Sequence, residues 1–149
     1  MFMSTWRDSG KMIIVDTGVL YAYFDAPDQA HHECAELLQA ERDGIVVSPF
    51  VLAELDHFIG KHFGGAYQVR VLEELTGGGF ELPVLTPADV IACSEVMARY
   101  PDQQIGLTDA SLVVLAERYE TRRIGTYDRR HFSVIHPMNG GWFELLPQG

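Results

Sequence analysis

Residues 12–16, Met-Ile-Ile-Val-Asp, are four consecutive apolar side chains closed by an acid. Successive side chains of a strand point to opposite faces, so an unbroken apolar run marks a strand buried on both sides. Burial on both sides requires a layer above and below the sheet, which confines the chain to α/β architectures. The run Ile-Val-Val-Ser at 45–48 repeats the pattern, and Arg-Arg-Ile-Gly-Thr-Tyr-Asp at 122–128 gives another strand that ends in an acid.

Helical signals fill the gaps. Residues 17–24 read as a short helix, and residues 28–44 as an amphipathic one closed by Gly44. Pro49 opens a helix over 49–63, and three glycines at 77–79 end the next one, which begins near Ala66. Pro83 makes 80–85 an edge strand. Thr86 as N-cap with Pro87 behind it starts a helix to Tyr100, and Thr108 is the expected N-cap of a helix over 108–119. Phe-Ser-Val-Ile at 132–135 is a candidate fifth strand, with Phe-Glu-Leu-Leu-Pro at 143–147 another. The expectation is a three-layer α/β/α domain with a mostly parallel central sheet of four to five strands. Residues 1–11 read as an N-terminal extension, a candidate for disorder, and 12–149 as one domain.

With 149 residues, the chain is long enough for one substantial core. No apolar run approaches the roughly 20 residues needed to span a bilayer, and the first residues lack a secretory apolar segment. The only two cysteines, Cys34 and Cys93, lack ligand spacing and read as core thiols, which fits a reducing cytoplasm. A net charge of −10 argues against diffuse nucleic-acid binding. Five of the eleven basic residues nevertheless cluster as Arg118, Arg122, Arg123, Arg129 and Arg130, either a solvated basic turn or a strip for a phosphate backbone.

The acids carry the chemistry. Asp109 shares a helix face with Leu112, Val113 and Ala116 at i+3, i+4 and i+7. It is either a first-turn acid favoured by the helix dipole or a carboxylate facing a site. Asp16 and Asp128 follow strands and, if those strands are parallel, emerge at the same sheet edge, where such folds bind ligands. Each alone also fits a turn-forming Asp. Glu54 lies about 40° from Phe58 and about 60° from Val51 on a helical projection, at the rim of an apolar arc. It either turns out to solvent or lines the same pocket. Two carboxylates about 4 Å apart repel by roughly 4 kcal/mol at an effective dielectric of 20, so four in one pocket call for raised pKa values, an Arg partner or a cation. Oxygen ligands without Cys or His favour a hard ion, Mg²⁺ or Mn²⁺. Asp102 is a spare acid in the loop before Asp109. His31 and His32 read as surface or rim residues. No phosphate-binding glycine loop followed by Lys and no G-x-S-x-G elbow is present.

Together Ile-Ile-Val-Asp-Thr-Gly at 13–18, Ala-Glu-Leu at 53–55, Gly-Leu-Thr-Asp-Ala-Ser at 106–111 and Thr-Tyr-Asp-Arg-Arg-His-Phe at 126–132 resemble PIN-domain ribonucleases of the VapC type, from toxin–antitoxin pairs. The resemblance covers nearly all of 12–147. It implies a Mg²⁺- or Mn²⁺-dependent endoribonuclease that leaves 5′-phosphate and 3′-hydroxyl ends. It also implies a homodimer and a small antitoxin whose tail covers the acidic cleft. The metal roles fall on Asp16, Glu54, Asp109 and Asp128, and a supporting hydroxyl role on Thr126. Asp-Thr-Gly at 16–18 stands where the family often has Asp-Thr-Ser, so Gly18 lacks one polar group near the metal. The rival reading is a catalytically inactive module that binds RNA or protein, and a repulsive acid cluster argues against it.

Overall fold

The computed structural model describes residues 12–148; the 1–11 extension lies outside the described residues. Five strands, β1 (Ile13–Val15), β2 (Ile45–Val47), β3 (Phe80–Glu81), β4 (Arg123–Gly125) and β5 (Glu144–Leu146), form one sheet in the order β3-β2-β1-β4-β5. Every pairing is parallel. The seven helices of the described residues are α1 (Thr17–Phe24), α2 (His31–Ala40), α3 (Pro49–Phe63), α4 (Gly65–Thr76), α5 (Pro87–Arg99), α6 (Leu107–Arg118) and α7 (Arg129–Phe132).

The two runs expected to be buried on both faces are so: all residues of β1 and β2 are buried, and β1 is the middle strand. Helices α5 and α6 pack on each other, as do α1 with α2 and α3, and α3 with α4. Helix α6 is the most deeply enclosed, with Ala110 through Ala116 buried without a break. Both cysteines are free and buried, as core thiols should be.

Several boundaries differ from the sequence expectation. Helix α2 starts at His31, because Asp28 first turns the chain by accepting the Ala30 amide at 2.7 Å. The cap of α6 is Gly106 rather than Thr108, which moves Thr108 into the first turn. Residues 132–135 are not a strand. Asp128 accepts the His131 amide and starts α7, and the amides of Val134 and Ile135 then return to the His131 carbonyl. Phe132 and Ile135 plug the core instead of pairing with the sheet.

Candidate active site

All five strands run in the same direction, so Asp16 after β1 and Asp128 after β4 do leave the same, C-terminal edge. Asp16 caps α1: its Oδ1 accepts the Thr17 amide at 2.8 Å. Its Oδ2 accepts the Thr126 hydroxyl at 3.1 Å. Thr126 is wholly buried just past β4, and its hydroxyl oxygen also accepts the Asp128 amide at 2.9 Å. One hydroxyl thus orients two acids. Thr17 does similar work on the other side, donating to Glu54 Oε1 at 2.6 Å.

A buried pair of serines sets Glu54 and Asp109 against each other. Ser48 caps α3 by accepting the Phe50 amide, and its hydroxyl meets that of Ser111 at 2.8 Å. Ser111 in turn donates to the Thr108 carbonyl at 2.6 Å. The starts of α3 and α6 are therefore fastened together, with Asp109 in the first turn of α6 and Glu54 in the second turn of α3. Asp109, the third residue of α6, keeps only 18% of its side chain exposed.

All four acids, with Gly18, line one open cleft of about 900 Å³. Tyr21, Phe58 and His62 form an aromatic wall beside them, and Arg130 lies at another side. Phe58, placed by the helical projection in the buried arc, is 37% exposed and belongs to this wall. Asp102 is exposed and does not line the cleft. The basic cluster is largely consumed by structure. Arg118 binds Asp89 and the Val84 carbonyl, Arg122 the Gly140 carbonyl, Arg123 Glu41, and Arg129 the Pro147 carbonyl, which leaves Arg130 as the cleft's arginine.

Crowding of acids shows in their proton affinity. Burial, with added repulsion from Asp109 and Glu54, pushes Asp16 up to about 6, against the lowering effect of its bonds from Thr17 and Thr126. Asp109 is also raised, first by burial and then by repulsion from Asp128 and Glu54, while His131 and the Gly106 amide pull it down. Asp109, Asp128 and His131 bring donor atoms within 4.8 Å of one another. Nδ1 of His131 stands 3.0 Å from Asp128 Oδ2 and 3.3 Å from Asp109 Oδ2. That nitrogen is buried and makes no hydrogen bond. Carboxylates held by neutral donors around an orphaned nitrogen suit a divalent cation.

The PIN-domain family model matches residues 13–136. The chain belongs to the PIN-domain family. Ribonuclease VapC26 of Mycobacterium tuberculosis (strain ATCC 25618 / H37Rv) is 44% identical over 135 residues, 91% of this chain and 100% of the relative. Among solved structures, Mycobacterium tuberculosis VapC20, described as a sarcin-ricin loop cleaving toxin, superposes with a TM-score of 0.69 at 18% identity, over 75% of this chain and 86% of that one. DNA-bound VapBC from Salmonella typhimurium gives 0.70 at 15% identity, over 90% and 97%. Both structural likenesses speak to the PIN fold. Two residues that the sequence does not single out stand against these acids: Thr17, which also starts α1, and His131, in the Thr-Tyr-Asp-Arg-Arg-His-Phe motif. A histidine three residues after a strand-end acid was the available signal.

Proposed function

We propose that this PIN domain is a metal-dependent endoribonuclease, the toxin of a toxin–antitoxin pair. The observation that carries the proposal is the meeting of Asp16, Glu54, Asp109 and Asp128 in one cleft at the C-terminal edge of the sheet. The 44% identical relative, named a ribonuclease, supports the same reading. The four acids would hold Mg²⁺ or Mn²⁺. A bound ion supplies a water of lowered pKa and a Lewis acid for the phosphodiester. Thr126 and Thr17 fix the carboxylates before the ion arrives, so little reorganisation remains at the moment of binding. Arg130, the arginine of the cleft lining, offers a cation to the incoming RNA phosphate.

A small antitoxin that covers the cleft belongs to the proposal, supported by neighbours solved as toxin–antitoxin complexes. So does a homodimer, for which Val84 and Ile91, exposed at 76% and 60%, offer apolar surface. Among the described residues no helix is long and apolar enough to cross a membrane, and a cytoplasmic location is part of the reading. The test is cleavage of a panel of structured RNAs by antitoxin-free protein, with Mg²⁺ or Mn²⁺ against EDTA and Asp109→Asn alongside. Cuts at defined sites that need both the ion and Asp109 are the expected result. RNA bound but never cut, with no thermal stabilisation by either ion, would favour the inactive module.

A further inference from the structure

We propose that His131 is a ligand of the cation, binding through Nδ1 beside Asp109 and Asp128, and that it biases the site toward Mn²⁺ over Mg²⁺. The inference rests on the metal-dependent reading above and goes past its all-oxygen ligand set.

The geometry is that of a coordination edge. Six donors about 2.1 Å from a cation stand roughly 3.0 Å apart along each octahedral edge. The two separations from Nδ1 to carboxylate oxygens, 3.0 and 3.3 Å, match that spacing. A protonated imidazole bridging the two acids would also bring the atoms close, but it would then donate to one of them. Nδ1 makes no such bond, so its in-plane lobe is directed at neither oxygen. It is thus left without a directed partner, although both carboxylates stand beside it.

Local structure holds the ring in place. Asp128 caps α7 through the His131 amide, so ligand and histidine are fixed within one helical turn. Phe132 next to it is buried and packs edge-on against Phe143, which anchors the turn to the core. The ring is 20% exposed while Nδ1 itself is buried against the two carboxylates, so the nitrogen is held in a sheltered, oriented position. Mg²⁺ prefers carboxylate and water oxygens and sheds water reluctantly, whereas Mn²⁺ gains more from an imidazole nitrogen.

Pulsed electron paramagnetic resonance of the full chain loaded with Mn²⁺ tests this directly. The wild type should show ¹⁴N coupling from one bound imidazole. His131→Gln should still bind Mn²⁺ but lose the coupling, and its preference for Mn²⁺ over Mg²⁺ should fall. His62→Gln, on the aromatic wall, should keep the coupling. Bound Mn²⁺ without nitrogen coupling in the wild type would overturn the proposal and leave the metal-dependent reading standing. Coupling that survives in His131→Gln would overturn it as well. Failure of the wild type to bind Mn²⁺ would remove both. If His131→Gln folds poorly, His131→Asn and the wild-type spectrum of histidine-labelled (¹⁵N) protein make the same decision.

Discussion

The two edges of the sheet handle charge in opposite ways. At the N-terminal edge Arg123, the first residue of β4, grips Glu41 with two hydrogen bonds of 2.7 and 2.5 Å, and both side chains are about four-fifths buried. Each charge there has a partner, and the pair raises the proton affinity of Arg123 further. At the C-terminal edge four carboxylates share a cleft, and hydroxyls, amides and the His131 ring contact them. The first edge is complete in itself. The second concentrates negative charge that the described residues do not neutralise in full, and folding tolerates the repulsion because helix caps and a buried serine pair hold the acids in position.

The same chemical change should therefore have opposite consequences at the two edges. Asp109→Asn removes one buried negative charge from the cleft. Outer partners of metal ligands typically cost about 10–100-fold when removed, so loss of a ligand should lower RNA cleavage by more than about 100-fold. The metal-free protein should meanwhile become more stable, with a melting temperature higher by roughly 2–4 °C for each kcal/mol of repulsion relieved. Calorimetry without metal, next to cleavage rates, checks both halves. A destabilised Asp109→Asn would mean that His131 neutralises the cleft more fully than the geometry implies.

Glu41→Gln removes a negative charge from the other edge. It leaves Arg123 partly buried beside a neutral partner, and stability should fall by about 1–2 kcal/mol, between the values for exposed and buried pairs. Cleavage should be unchanged once the variant is folded. Urea unfolding followed by an activity assay at matched folded fraction would show whether the two edges are independent.

Acidity sharpens the comparison. The Asp16 carboxyl is raised from 3.8 to about 6, so the folded state holds this proton more tightly than the unfolded state does. Its destabilising effect is absent below about 4 and complete above about 6. Lowering the pH from 7 to 5 should stabilise the metal-free protein by about 1 kcal/mol through Asp16. The comparison with Asp16→Asn reports this share together with the repulsion that Asp16 exerts on Asp109 and Glu54. Saturating Mn²⁺ should reverse the slope, because the ion binds the ionised carboxylates. Asp89 is held low by the Thr86 amide and Arg118, and it titrates below this window.

Local sequence carried most of the fold, because its strongest signals were two-sided burial and helix starts. The apolar runs at 13–15 and 45–47, the Thr86-Pro87 start and Pro49 all stand where pattern and capping chemistry put them. At 132–135 a local capping bond overrides the apolar pattern. Alternating apolar residues suit a strand, but the Asp128 side chain captured the His131 amide and turned the chain before any pairing. The four acids were legible because strand ends and helix faces are local properties. The serine link between Ser48 and Ser111, 63 residues apart, was not, since neither residue signals its partner. Nor was the orphaned Nδ1 of His131, which becomes visible only when Asp109 is brought to it from another helix.

Gly18 stands where the resemblance leads one to expect the serine of an Asp-Thr-Ser motif, and space is not the reason its hydroxyl is missing. A Cβ built on Gly18 meets nothing within 4 Å, and the residue lines the cleft between Asp16 and the aromatic wall. It lies in the first turn of α1, where serine is acceptable and glycine carries extra unfolded-state entropy. Gly18→Ser should therefore leave stability within about 0.5 kcal/mol of the wild type or raise it slightly. If the cleft needs one more hydroxyl to hold a water or the ion, Mn²⁺ affinity should rise by a few-fold, as measured by calorimetric titration. Unchanged affinity would mean that Thr17 and Thr126 already provide the hydroxyls this edge of the sheet requires. The smallest of these effects thus asks whether the C-terminal edge lacks anything besides its cation.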